Sequence, residues 1–355
     1  MTMSLAGRRR GSSSQAKGQR GDRKSAKPDF RSPFFFGFNF FLNINGGSLI
    51  EMQRAIPVFD FSQQANVSRM PAWIRQKLAN PVHYAQTAHA VHDNTLHTVC
   101  EEAACPNMAE CWSHGTATLM LLGDTCTRAC GFCAVKTGKP TWHDSEEAQR
   151  VADAVKAMGL DYVVLTSVNR DDLTDGGAGV FADTVKALRH HKANIGVELL
   201  TPDFYRQQQQ AIDTICSAAA EVRSEQRDTQ LVWGHNVETV PGLYKQVRKG
   251  SDYSRSLKLL ELAAQQKDIE AKSALMLGLG ETREEVLNVL KDLRDSGVER
   301  LSLGQYLRPT KFHLPVKEYI LPEVFDVYAD DARAMGFSWV KAGPLVRSSY
   351  HAHDK

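Results

Sequence analysis

The chain has 355 residues and a formal net charge of +2, and 42% of its residues are hydrophobic. This length accommodates one large α/β barrel or two ordinary domains, and the apolar content supplies a sizeable core, so a disordered or fibrous protein is excluded. The longest apolar stretch, residues 33–42, is interrupted and too short to span a bilayer, so no transmembrane segment is predicted.

The first 51 residues differ in composition from the rest of the chain. They contain nine basic and three acidic side chains among many Ser and Gly residues, which predicts a disordered extension. Two interpretations stay open: a non-native segment ahead of a true start at Met52, or a mitochondrial transit peptide. A cytoplasmic location is predicted in the first case and the mitochondrial matrix in the second. The remaining residues are net acidic, which argues against a nucleic-acid partner.

Short apolar runs alternate with helical patterns from residue 118 onward. The predicted strands are residues 118–122, 162–166, 195–200, 231–234, 274–278 and 300–303. Between them lie segments with apolar residues three and four apart, such as residues 148–158 and 284–294. Six strand and helix pairs predict parallel strands joined by right-handed crossovers. The fold class is therefore α/β, with a barrel or partial barrel favoured over a doubly wound open sheet.

Polar segments directly follow the predicted strands. They read GDTCTRACGFC, SVNRDD, TPDF, HNVETVP, GLGET and GQYLRPT. Any one of them is also typical of an ordinary turn. Six in phase with six strands predict the rim of an active site, because ligands of barrel enzymes bind on loops at the carboxyl ends of strands.

Six of the seven cysteines fall into two sets of three. The upstream triplet is Cys100, Cys105 and Cys111, spaced C-x4-C-x5-C, and the loop triplet is Cys126, Cys130 and Cys133, spaced C-x3-C-x2-C. A chain of this size without a secretory signal is unlike a disulfide framework. Three thiolates can hold an iron–sulfur cluster and leave one iron open for chemistry. Structural zinc is the alternative for either triplet, although zinc usually takes four ligands.

The loop triplet, placed directly after the first strand of a repeated βα pattern, resembles the cysteine motif of the radical S-adenosylmethionine superfamily. Within it, the chain resembles the lipoyl synthase family from about Trp73 to His351. The resemblance is carried by both triplets in order, by the segments TSVNRDDLTDGGA, HNVETVP and LGQYLRPTKFHLPV, and by a terminal Arg-Ser-Ser-Tyr at residues 347–350.

This resemblance implies a partial (βα)6 TIM-type barrel of the radical S-adenosylmethionine type, with extensions at both ends. The predicted segments are the basic extension at residues 1–51, an N-terminal segment with the upstream triplet at 52–115, the barrel at 116–320, and a C-terminal segment at 321–355. The resemblance also leads us to expect a largely apolar barrel interior. A larger residue is expected where Gly131 stands, so this glycine predicts a more flexible cysteine loop.

The cofactors implied by the resemblance are two 4Fe–4S clusters and S-adenosylmethionine. The loop triplet inherits the ligands of the cluster that binds S-adenosylmethionine. The upstream triplet inherits those of an auxiliary cluster, whose fourth ligand maps to Ser349, with Ser348 as the adjacent alternative. Contacts to S-adenosylmethionine are predicted at Thr166, Ser167, Asn169, Glu198 and Lys272, and no side chain is predicted to act as a general acid or base.

The activity implied is that of a sulfurtransferase. Enzymes of this family use the radical from S-adenosylmethionine cleavage to insert two sulfur atoms at C6 and C8 of a protein-bound octanoyl group, and they consume the auxiliary cluster as the sulfur source. The implied partners are octanoylated lipoyl carrier domains, found in E2 subunits of 2-oxoacid dehydrogenases and in the glycine cleavage H protein, and a low-potential reductant such as flavodoxin or ferredoxin. No nucleic acid or membrane is expected. The alternatives are another sulfur-inserting radical enzyme and a non-catalytic iron–sulfur electron carrier.

Overall fold

A computed structural model of the chain describes residues 70–74, 80–141, 144–222 and 231–352. The predicted basic extension, residues 1–51, lies outside the described residues. Those that are described belong to one unit, Asp60–Lys355.

Eight strands form one sheet, in the order β1-β2-β5-β6-β7-β8-β9-β10, and β3 pairs only with β4. The strands are β1 His97–Thr98, β2 Thr118–Leu121, β3 Thr125–Cys126, β4 Lys136–Thr137, β5 Tyr162–Ser167, β6 Gly196–Leu200, β7 Leu231–Gly234, β8 Ile269–Leu277, β9 Arg300–Gln305 and β10 Trp339–Gly343. The first pair of the sheet is antiparallel and all later pairs are parallel. Within the described residues the sheet has edges at β1 and β10, so the predicted partial barrel is confirmed.

Helices connect the successive parallel strands of the sheet from β2 onward, and three further helices of the described residues precede β2. They are α1 Pro81–Asp93, α2 Val99–Glu102, α3 Met108–Ser113, α4 Glu147–Met158, α5 Ala178–His191, α6 Gln208–Glu221, α7 Tyr244–Val247, α8 Tyr253–Ala264, α9 Arg283–Asp295 and α10 Pro322–Ala334, with a short 3-10 helix at Pro241–Leu243. Helix α9 begins at a capping box formed by Thr282 and Glu285. No helix in the described ranges is long and apolar enough to cross a bilayer.

The fifth barrel strand, β8, begins at Ile269, well before the predicted start at residue 274. Its side chains alternate between two environments. Ala271 and Leu275 pack in a core cluster with residues of α9 and α10, and the next residue after Ala271, Lys272, points the other way and pairs with Glu198 of β6. Because the inward-facing residues are charged, the first half of β8 lacks the apolar run that marks a buried strand.

The barrel interior, expected to be largely apolar, therefore contains a buried ion pair. The Lys272 Nζ donates to both carboxylate oxygens of Glu198 at 2.9 Å, and both side chains are 1% exposed. The Tyr162 hydroxyl donates to the same carboxylate at 3.0 Å. Burying an ion pair costs free energy because both charges lose their water. Hydrogen bonds to the remaining positions of the pair offset this cost, and Tyr162 fills one of those positions here.

Candidate cluster and cofactor site

The loop triplet lies on the segment that leaves the carboxyl end of β2. Two backbone hydrogen bonds fix this segment: Thr127 N donates to Asn169 O at 3.0 Å, and Gly138 N donates to Cys126 O at 2.9 Å. The amides of Arg128 and Asn169 also point at the Cys126 sulfur, at 3.4 and 3.3 Å. Amide donors to sulfur stabilise the thiolate form, which is the form that binds iron. The surroundings of Cys126 thus suit a thiolate that binds an iron–sulfur cluster.

Arg128 holds this loop in place, although the sequence analysis did not single it out. Its side chain is 7% exposed and forms a two-pronged ion pair with Asp171, in the loop after β5. It also donates to Asp203, after β6, at 3.2 Å and to Gly250 O, before α8, at 2.6 Å. One guanidinium therefore joins the cysteine loop to three other loops of the rim. Its place between two cysteines of the motif was the only signal in the sequence.

Gly131, between Cys130 and Cys133, does not make the loop flexible, so that expectation is wrong. Its N–H donates to Val247 O at 2.9 Å, and its carbonyl accepts from Leu314 N at 3.0 Å. A Cβ at this position would lie 2.9 Å from Leu314 Cδ1 and 3.0 Å from Gln246 O. Glycine is present because two backbone segments approach the loop closely.

The variant Gly131→Ala is therefore expected to lose about 1–3 kcal/mol of unfolding free energy, the usual cost of overpacking. Urea unfolding of the cluster-free protein measures this. Gly242→Ala serves as the control, because the nearest atom there is one side-chain oxygen of Glu285 at 3.2 Å, with no backbone atom of the described residues as close. Equal stabilities for the two variants would contradict the close packing at Gly131.

The upstream triplet occupies two short helices and the turn between them. Cys100 lies in α2, Cys105 in the turn and Cys111 in α3, and Cys105 N donates to Cys100 O at 2.9 Å. Burial, together with the neighbouring thiols Cys100 and Cys105, raises the pKa of Cys111 to about 12. A buried thiol such as that of Cys111 is stabilised in its ionised form when a metal compensates its charge. All six motif cysteines are free of disulfides.

The C-terminal tail, which we define as residues 344–352, is bonded to the helix that carries Cys111. Asn107 Nδ2 donates to Leu345 O at 2.6 Å, and the Tyr350 hydroxyl donates to Glu110 at 3.2 Å. Cys111 and Ser349 consequently line one cavity of about 1030 Å³. Ser348 does not line it. Two residues that are far apart in the sequence thus line the same cavity, and their role as ligands of one cluster stays a prediction.

Neither triplet forms a site for a single ion. Among the described residues, no group of three or more His, Cys, Asp or Glu side chains is arranged to hold one metal ion. A 4Fe–4S cluster spreads its ligands over a wider span than the four-coordinate shell of zinc.

The five residues nominated for S-adenosylmethionine fall into two groups. Ser167 and Asn169 lie at the carboxyl end of β5 beside the loop triplet, and the buried Ser167 hydroxyl has no hydrogen-bond partner in the described part of the chain. Thr166 donates to Leu200 O at 2.9 Å. Glu198 and Lys272 lie deeper in the barrel and pair with each other. An orphaned buried hydroxyl at the strand end is a feature that a polar cofactor would satisfy.

His235 follows β7, and its buried ring is hydrogen-bonded within the protein. Its Nδ1 lies 2.9 Å from Thr201 O and its Nε2 lies 3.0 Å from Ser256 Oγ, and the ring is 1% exposed. Burial, assisted by the nearby Arg248, lowers its pKa from 6.5 to about 4. The folded protein therefore keeps this ring neutral.

The depressed pKa of His235 predicts a loss of stability in acid. Above pH 6.5 the ring is neutral in both states, and as the pH falls from 6.5 to about 4 only the unfolded chain takes up the proton. The free energy of unfolding should fall by about 3 kcal/mol from this group over that window. Urea unfolding of the cluster-free protein at several pH values measures this fall, with His235→Gln as the control. If the unfolding free energy of the variant depended on pH as that of the wild type does, the lowered pKa of His235 would be contradicted.

Comparison with known proteins gives the family. The model of the radical SAM superfamily matches residues 120–293. The chain is 47% identical to a lipoyl synthase of Rubrobacter xylanophilus, over 83% of this chain and 89% of that protein. The chain belongs to the lipoyl synthase family. The lipoyl synthase of Pasteurella multocida is 48% identical over 84% of this chain and 90% of its own length. Among solved structures, SuiB of Streptococcus suis bound to S-adenosylmethionine is similar, with a TM-score of 0.48 and 12% identity over 66% of this chain and 53% of that chain.

Membership in the lipoyl synthase family confirms the predicted enzyme class. The chain is a radical S-adenosylmethionine enzyme, and that superfamily implies one 4Fe–4S cluster and S-adenosylmethionine. A lipoyl carrier protein as substrate follows from the lipoyl synthase name. The alternative of a non-catalytic electron carrier is thereby set aside.

Proposed function

We propose that this lipoyl synthase works with two clusters, held by the two cysteine triplets. The loop triplet would hold the cluster that binds S-adenosylmethionine, and the upstream triplet together with Ser349 would hold an auxiliary cluster. The observation that carries the proposal is the cavity shared by Cys111 and Ser349, which lie far apart in the sequence. Oxygen is a harder ligand than thiolate and is more easily displaced, which suits a cluster that gives up sulfur.

When bound, the two clusters and S-adenosylmethionine would supply a 5′-deoxyadenosyl radical and the sulfur that replaces hydrogen at C6 and C8 of an octanoyl group. The chain's own residues would bind and orient these groups. Arg128 fixes the cysteine loop, and Ser167 and Asn169 offer polar groups beside it. Glu198 and Lys272 are proposed as the deeper part of the same site, where their mutual pairing keeps the buried charge balanced. Thr166 would contribute at the strand end.

The cavity also provides a route for the substrate. It extends from Cys111 and Ser349 to Tyr162 and Val164 on β5, so one wall belongs to the barrel. An octanoyl chain on the flexible lysine arm of a carrier domain could reach the upstream triplet through it. We therefore propose lipoyl domains of E2 subunits and the glycine cleavage H protein as carriers, and flavodoxin or ferredoxin as reductant.

The cytoplasmic location, with the mitochondrial matrix as the alternative, stays a prediction.

The test is an anaerobic reaction with reconstituted protein, S-adenosylmethionine, dithionite and an octanoylated lipoyl domain. We expect 5′-deoxyadenosine together with a lipoyl domain that carries two added sulfur atoms, measured by mass spectrometry. The same lipoyl domain without its octanoyl group is the control and should gain no sulfur. Formation of 5′-deoxyadenosine with no sulfur on the octanoylated domain would contradict the proposal and favour another radical enzyme.

A further inference from the structure

The loop triplet belongs to a surface made of three segments, which we call the rim surface: residues 126–139, 244–251 and 306–317. The segments are joined at the cysteine loop itself. Gly131 N donates to Val247 O of the second segment, and its carbonyl accepts from Leu314 N of the third. His313 Nε2 lies 3.0 Å from Cys133 O. The rim surface therefore consists of the cysteine loop and the two segments that are hydrogen-bonded to it.

The rim surface is basic, whereas the chain after residue 51 is net acidic. None of its three segments contains Asp or Glu. Its exposed cations are Lys136, Lys139, Lys245, Lys249, Arg308, Lys311 and Lys317. Lys136 has Asp124 at 3.6 Å, outside the three segments. A local concentration of one sign of charge attracts a partner of the opposite sign and raises its association rate.

An aromatic ring stands in this basic surface. Phe312 is 87% exposed, more than any other large hydrophobic side chain among the described residues. Its loop is not loose: the Tyr306 hydroxyl donates to Leu314 O at 2.7 Å, and Arg308 Nε donates to His313 O at 2.9 Å. A large apolar side chain held in solvent by a fixed loop is typical of a contact surface, where aromatic residues are enriched.

We propose that the rim surface is the docking site of a small acidic one-electron carrier protein, with Phe312 and Lys311 at the point of contact. The proposal rests on the function proposed above, in which the loop triplet holds the cluster that must be reduced. One electron passes from the docked carrier to that cluster, so the carrier is oxidised by one electron, the cluster is reduced by one, and no atom is transferred. A small, charged and transient contact suits such a carrier.

The position of the substrate cavity separates this site from that of the lipoyl carrier domain. The cavity is lined by Asp161 and Tyr162, at the amino end of β5. The loop triplet follows the carboxyl end of β2, which is parallel to β5. The two features therefore lie toward opposite ends of these strands, so the substrate cavity and the rim surface are different parts of the protein.

The test uses the reconstituted enzyme, flavodoxin as the acidic probe, and the double variant Lys311→Glu with Phe312→Ala. Lys267→Glu is the matched charge-reversal control, because Lys267 is exposed in the turn before β8. We expect binding of oxidised flavodoxin, measured by titration calorimetry, to weaken about tenfold in the double variant and to stay unchanged in the control. The rate at which reduced flavodoxin bleaches the loop cluster should fall about tenfold as well, and added salt should slow the wild type more than the variant.

Dithionite separates docking from chemistry, because this small reductant needs no docking surface. With dithionite, the double variant should form 5′-deoxyadenosine and lipoyl product as the wild type does. Unchanged flavodoxin binding and reduction in the double variant would overturn the proposal. A raised KM for the octanoylated lipoyl domain under dithionite, with normal flavodoxin reduction, would also overturn it and assign the surface to the carrier domain. Failure of dithionite to reduce any cluster in the wild type would instead overturn the proposed function on which this inference rests.

Discussion

The variant Cys111→Ala is expected to lose lipoyl formation altogether while it continues to cleave S-adenosylmethionine. Cys111 shares its cavity with Ser349 and lies apart from the loop triplet, so its removal should disable only the auxiliary cluster. The same result is expected for Cys100→Ala and Cys105→Ala. The measurement is 5′-deoxyadenosine by chromatography and sulfur on the octanoylated lipoyl domain by mass spectrometry, both with dithionite as reductant.

Two matched variants sharpen this prediction. Cys216→Ala removes a free cysteine that packs against the core, away from both triplets, and should leave both products unchanged. Ser349→Ala should lose lipoyl formation and keep S-adenosylmethionine cleavage, as Cys111→Ala does. Ser348→Ala should keep both, because Ser348 does not line the cavity. Normal lipoyl formation by any variant of the upstream triplet would contradict the two-cluster assignment.

The variant Arg128→Ala is expected to cost about 3 kcal/mol of unfolding free energy and to lower the iron content of the loop triplet. Arg128 is 7% exposed and pairs with Asp203, which is 1% exposed, so its removal leaves a buried carboxylate short of one partner. Asp171 loses its ion-pair partner at the same time and keeps, among the described residues, only the hydrogen bond from the Thr127 hydroxyl. Urea unfolding of the cluster-free protein and iron analysis of the reconstituted protein measure the two effects.

Arg255 provides the control for Arg128. It contacts the same carboxylate at 2.8 Å but is 20% exposed and does not lie on the cysteine loop. Arg255→Ala should therefore be less destabilising and should retain the iron. The unfolding free energy and the iron content of Arg128→Lys should lie between those of the wild type and Arg128→Ala. Lysine keeps the charge but cannot form the two-pronged contact with Asp171. Equal losses in Arg128→Ala and Arg255→Ala would contradict a special role for Arg128 in holding the loop.

The sequence predicts most of the barrel because its outward-facing side chains are apolar. Helix α9 and strand β9 match the predicted residues closely, since the 3.6-residue period and the short apolar run are both clear. Strand β10 is missing from the prediction, because its residues 339–343 include Lys341 and two flanking small residues that resemble a loop. Strand β8 starts earlier than predicted for a related reason: Glu270 and Lys272 face the interior, and the pattern alone does not show that they have partners there.

The candidate site was predictable only where its residues are close in sequence. Each cysteine triplet has a spacing that can be read directly. The role of Arg128 depends on Asp171 and Asp203, which reach it from different loops, and no local pattern reveals such a contact. The pairing of Glu198 with Lys272 likewise needs the curvature of the sheet, which brings β6 and β8 close across β7. The tight packing around Gly131 follows from two distant backbone segments, whereas the sequence alone favoured flexibility.

Iron and acid-labile sulfide per chain, measured after anaerobic reconstitution, test the central claim most directly. The comparison is between the wild type and the triple variant Cys100→Ala, Cys105→Ala and Cys111→Ala. Two clusters predict about eight irons and eight sulfides in the wild type and about four of each in the triple variant. About four irons in both proteins, or zinc in place of iron, would contradict the assignment of an auxiliary cluster to the upstream triplet.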